Sequence, residues 1–139
     1  MRNRGPRERR RFAPSFASFS GVTAADCRYV ALVTLNDPQF VEAARALADR
    51  ALEIGGDSDE SRVAFIAERV LARPLTADET AILKKSLVDL ADWYKARPDD
   101  AKALITVGDS KPRAADPIQL ASWTMLTNEL MNLDEALCK

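Results

Sequence analysis

Three groups of side chains could do chemistry in this chain. Asn132, Asp134 and Glu135 stand together near its end, and paired carboxylates can move protons or hold a cation. Neighbours on a helix point about 100° apart, however, so Asp134 and Glu135 do not converge on one atom. A solvated helix end or a helix-packing contact is the expected role. Asp57, Asp59 and Glu60 follow Gly55-Gly56 and resemble part of a calcium loop. The full D-x-D-x-D-G-x5-E pattern is absent, and capping of the following helix accounts for these acids more simply. Trp93, Tyr94 and Trp123 could stack a sugar or a base. At helical spacing among Leu and Ala they are expected in the core.

What is missing narrows the chemistry further. The chain holds no histidine, which excludes a Ser-His-Asp triad, a Cys-His pair and any histidine metal ligand. Cys27 and Cys138 lie at opposite ends, form neither CxxC nor CxxCH, and can pair only if the two ends meet. No GxGxxG, Walker loop, GxSxG or HExxH is present, and Gly21, Gly55, Gly56 and Gly108 are too scattered to cradle a phosphate. No catalytic, cofactor-binding or metal-ligating residue is therefore assigned, and no cofactor is expected.

Charge is unevenly placed. Arg2, Arg4, Arg7, Arg9, Arg10 and Arg11 face only one acid, Glu8, in the first 11 residues. From residue 31 onward there are 13 basic and 19 acidic residues, a net of −6 inside a chain whose total is −1. The acidic body argues against nucleic acid as a partner, since phosphate binding needs concentrated positive charge. The basic arm could touch anionic lipid, nucleic acid or an acidic partner, or be a solvated tail. No run of 18 apolar residues exists, so no transmembrane segment is expected. The charged start is followed by Pro14, Ser15, Ser18 and Ser20, which interrupt what would be the apolar heart of a signal peptide.

The elements that must position these groups are helices. Apolar residues make up 47% of 139 residues while aromatics make up only 6%, enough for one core built mainly from Ala, Leu, Val and Ile. Residues 1–30 read as an irregular basic arm, with a short apolar run at 30–35 that could be a strand or a lead-in. Asp37-Pro38 marks the start of a first helix over 38–54, with Phe40, Ala44, Leu47, Ala51 and Ile54 as its buried stripe and Glu42, Arg45, Asp49 and Glu53 falling elsewhere. A second helix over 58–72 is capped by Asp57 with Glu60 and buries Val63, Ile66, Ala67 and Val70. Thr76 and Glu79 form a capping box for a third helix, which buries Leu83, Leu87, Leu90 and Tyr94 and stops at Pro98. A short helix runs from Asp99 to Val107 and ends at Gly108. Asp116-Pro117 opens a last helix over 117–137 along Leu126, Leu130, Leu133 and Leu137. The expected fold is all-α, an antiparallel packing of four to five helices over residues 31–139 behind the arm.

At 31–45 the chain reads ALVTLNDPQFVEAAR. RVLARP at 69–74 with Thr76 to Glu79, then Gly108, then Trp123-Thr124 leading to LMNLDE at 130–135 follow in order. Together these motifs closely resemble the planctomycete C-terminal domain family of unknown function 1553, whose members carry ALxxLNDPQFVEAAR. The resemblance spans about residues 31–137. It implies a domain at the C-terminus of large exported proteins of the periplasm or cell surface, often behind cytochrome-c-like modules, and it supplies no catalytic residues to carry over. This chain shows no CxxCH, no clear export signal and no Arg/Thr/Pro-rich link ahead of residue 31, so it is expected to be a truncated C-terminal fragment whose own location stays open. The leading reading is a non-enzymatic helical structural or interaction module of a bacterial surface protein. The alternative is an accessory domain of a larger enzyme or cytochrome-linked redox protein. The missing upstream domains, or another protein, are the expected partners. Val41, Phe65, Ile82 and Met125, each beside a core residue, are expected to leave apolar surface for such a neighbour.

Overall fold

The structure, a computed structural model, describes residues 37–137. The basic arm, the apolar run at 30–35, Cys27, Cys138 and the side chain of Asp134 lie outside the described residues. Within them are six helices and no strand: α1 Pro38–Ile54, α2 Asp59–Val70, α3 Ala77–Ala96, α4 Pro98–Ile105, α5 Pro117–Met131 and α6 Asp134–Leu137. The all-α class stands, with one helix more than the sequence suggested.

Local chemistry sets the boundaries. Asp37 accepts a hydrogen bond from the Gln39 amide at 2.9 Å, and Asp116 accepts one from the Ile118 amide at 2.9 Å, each with proline at the first helical position. At α3 the capping box is complete: Glu79 N–H donates to Thr76 Oγ1 at 3.3 Å and Thr76 N–H to Glu79 Oε2 at 2.8 Å. The α2 cap is shifted by one residue. Ser58, not Asp57, accepts from the Ser61 amide at 3.1 Å, and Glu60 turns to Lys84 instead. Pro98 does not simply end α3; it opens α4, with Arg97 as the only residue between them.

The expected last helix breaks in two. Asn132 Nδ2 donates to the Asn128 carbonyl at 2.7 Å, four residues back, and so offers the chain an alternative to continuing the helix. The α5 helix is buried nearly all round, as suits a central helix. It packs against α1, α3 and α4. Trp123, Leu120, Leu126 and Leu130 fill its surroundings. Its buried hydroxyls are satisfied within the helix: Ser122, Thr124 and Thr127 donate to the carbonyls of Ile118, Leu120 and Trp123 at 2.8, 2.7 and 2.7 Å.

The buried face of α1 matches the expected stripe at its middle and departs from it at both ends. Ala44, Ala48 and Ala51 are fully buried and Leu47 and Leu52 half-buried, whereas Phe40 is 36% and Ile54 57% exposed. The alanine row lets the α1 backbone approach α5 closely, and that contact turns the larger residues at either end outward. It also turns Arg45 and Asp49 inward, where both are buried.

Candidate functional site

The polar residues that converge are on α1. Glu42, Arg45 and Asp49 stand three and four residues apart, one above another on a single helical face. Each grips the segment that links α4 to α5. Arg45 Nη1 donates to the carbonyls of Ile105 and, at 2.7 Å, Val107. Its Nη2 donates to the Ser110 carbonyl and hydroxyl, both at 2.6 Å. Ile105 is the last residue of α4, so its carbonyl has no partner within the helix. A guanidinium there satisfies that carbonyl and places positive charge at the negative end of the helix dipole.

The carboxylates on either side take the amides of the same segment. Glu42 Oε1 accepts from the Ser110 N–H at 2.7 Å. Asp49 accepts from the Arg113 and Ala114 amides at 3.2 and 3.0 Å. The Ser110 side chain, then the Ser110 and Asp109 amides, and also Arg45, hold the Glu42 carboxyl below its ordinary pKa, outweighing burial. Gly108 allows the close approach. Its φ of +89° favours glycine, and an added Cβ would collide with the Glu42 side chain. Beside this clamp a groove of about 620 Å3 opens, lined by Arg50, Glu53, Ile54, Lys111 and Arg113 along with Arg45 and Asp49.

A second polar cluster pins the chain's end. The Arg73 guanidinium donates to Glu79 at 2.8 and 3.0 Å and to Glu135 at 2.6 and 2.8 Å, tying α6 to the start of α3. This pairing, with the Thr76 amide, lowers the Glu79 carboxyl to about 2, and Glu135 and Glu79 raise the pKa of Arg73. Immediately before Arg73, Ala72 follows α2 in the left-handed conformation with φ of +57°.

The sequence-predicted groups are thus dispersed. Glu135 serves Arg73 and the Asn132 amide serves Asn128. Glu60 pairs with Lys84 at 2.5 Å and Asp59 with Arg62 at 3.7 Å. Among the described residues no group of three or more acidic, Cys or His side chains could hold a metal ion. Trp123 and Tyr94 are in the core, and burial, with the charge of Asp100, raises the Tyr94 hydroxyl pKa. Trp93 is not in the core: it is 52% exposed, with the Arg97 guanidinium 3.5 Å above its ring. No described helix is long and apolar enough to cross a membrane. The clamp itself was missed in the sequence. Its signal was Ala48 beside Ala44 and Ala51 of the expected stripe, a row flanked by Arg45 and Asp49 at a spacing of four.

This arrangement defines an all-helical domain whose deepest polar groups hold backbone. Over residues 21–87 the chain matches the family described as PSD1, protein of unknown function (DUF1553). The matched stretch carries Glu42, Arg45 and Asp49, while the segment they grip lies outside it. No curated protein and no solved structure matches the chain.

Proposed function

We propose that this protein is a non-enzymatic helical structural or interaction module of a bacterial surface protein. The observation that supports this reading is how the buried polar side chains are used. Arg45 spends its donors on carbonyls of residues 105–110, and Asp49 spends both oxygens on amides of residues 113 and 114. A general base or nucleophile needs a lone pair free to meet a substrate proton or carbon. Groups committed to backbone instead build a rigid framework for an outer surface.

The test is cross-linking with mass spectrometry on the native host after cell fractionation. The reading expects the protein in the envelope fraction, with its exposed lysines linked to another polypeptide. A haem-bearing partner would favour the redox-accessory alternative. Recovery from the cytosol with links only inside the chain would overturn the proposal.

A further inference from the structure

We infer that the groove between α1 and residues 110–113 docks an extended acidic segment of a partner protein. This deepens the interaction-module reading and rests on it. The described body carries 12 basic and 19 acidic residues, yet the groove is lined by four basic side chains (Arg45, Arg50, Lys111 and Arg113) and two acidic ones (Asp49 and Glu53).

The two acids are already engaged. Asp49 is held by the amides of residues 113 and 114, and Glu53 faces Arg113 at 3.5 Å. Arg45 is spent on carbonyls. What remains for a partner is Arg50 and Lys111, which pair with no carboxylate among the described residues, and Arg113, which has only that one long, solvent-exposed pair. A positive groove on a negative body attracts carboxylates and disfavours long polyanions, which the surrounding charge repels.

Shape and chemistry point to peptide rather than a bare anion. About 620 Å3 falls within the roughly 300–1,000 Å3 usual for ligand sites. Ile54, 57% exposed at the groove, offers an apolar contact that phosphate would leave unused. The floor is preorganised, because the clamp fixes residues 105–114 before anything binds, so little ordering cost falls on association.

The test titrates the 15N-labelled full chain with a capped decapeptide of Glu, Asp and Leu, and in parallel with inorganic phosphate. The expected result is saturable amide shifts at Arg50, Ile54, Lys111 and Arg113 that weaken several-fold as salt rises. An Arg50→Gln/Lys111→Gln variant with an unchanged helical circular-dichroism spectrum should lose at least tenfold in affinity. No shift at millimolar peptide, shifts confined elsewhere, or phosphate reproducing the same shifts at the same concentration would overturn the inference. A cross-linked partner with a silent groove would defeat this inference and leave the module reading intact. A saturable groove without any cross-linked partner would do the reverse.

Discussion

Replacing Arg45 with methionine separates its hydrogen bonds from its bulk. Methionine fills much of the same space but donates nothing, so three carbonyls lose their donor: Ile105, at the end of α4, Val107 and Ser110. Leaving a buried acceptor unpaired costs about 1–3 kcal/mol. The Ile105 carbonyl belongs to a buried bond and the other two to part-buried ones that water can reach, so the upper end applies once at most. Against this, the variant no longer takes a charged guanidinium out of water, which offsets part of the loss. The net destabilisation is about 3 kcal/mol, a large share of the 5–15 kcal/mol that holds a domain together. With a urea dependence of about 1–3 kcal/mol per molar, the unfolding midpoint should fall by roughly 1–3 M. Amide hydrogen exchange localises the effect: the amides of Ser110, Arg113 and Ala114 should lose protection before those of α5. Arg45→Lys should recover less than half of the midpoint, because one ammonium cannot match a planar fork aimed at several carbonyls. A methionine variant within about 0.3 M of the parent, with those amides still protected, would refute the clamp.

Three further predictions rest on separate features. Ala72→Gly should stabilise the chain by about 0.5–1 kcal/mol in urea melts, since left-handed strain of about 1–2 kcal/mol is relieved and part of it returns as unfolded-chain entropy; an unchanged or lower midpoint would show the turn is unstrained. Arg73 and the Thr76 amide depress Glu79 in the folded state to about 2 from an ordinary 4.5, so its contribution is fully present above 4.5 and is lost as pH falls towards 2. The midpoint gap between the parent and Glu79→Gln should therefore be constant from pH 7 to 5 and close on acidification, and a gap that persists at pH 2 would contradict the assignment. Trp93→Phe should remove the iodide-quenchable tryptophan fluorescence and leave a shielded signal from Trp123, and strong residual quenching would mean that Trp123 is accessible.

What the sequence revealed and what it hid have the same physical origin. Caps are local: Asp37, Thr76 with Glu79, and Asp116 act within three residues, so their places could be read directly. Even so, Ser58 displaced Asp57, because both are good caps and only the backbone path chooses between them. Which face of α1 is buried depends on how closely α5 can approach, and no local signal carries that. The expected stripe of Phe40, Ala44, Leu47, Ala51 and Ile54 holds at Ala44, Leu47 and Ala51, but its large end residues, Phe40 and Ile54, are exposed while Ala48 is fully buried. Arg45 and Asp49 therefore read as lying off the buried stripe. Their partners lie 60 to 65 residues away in sequence, beyond any pattern along the chain. The same holds for Arg73 with Glu135, 62 residues apart.

The outward apolar residues bear on the expected neighbour. Of the four second-face positions, Val41, Phe65 and Met125 are half-buried, and Arg69 stacks on Phe65 at 3.4 Å, so most of that surface is already used inside the chain. Ile82, at 67% exposed, is the one that stands out. The remaining exposed apolar side chains, Phe40, Ile54, Val88, Trp93 and Leu133, are shared among α1, α3 and the turn after α5. This spread does not resemble one wide face awaiting a second layer. It leaves charge as the better guide to a partner, and charge is concentrated where α1 meets residues 110–113. The two roles of α1 are consequently coupled. The row that holds residues 105–114 also builds the groove floor, so damaging Arg45 would remove site and stability together. Arg50 and Lys111, which hold nothing among the described residues, are the positions where binding can be altered while the fold stays in place.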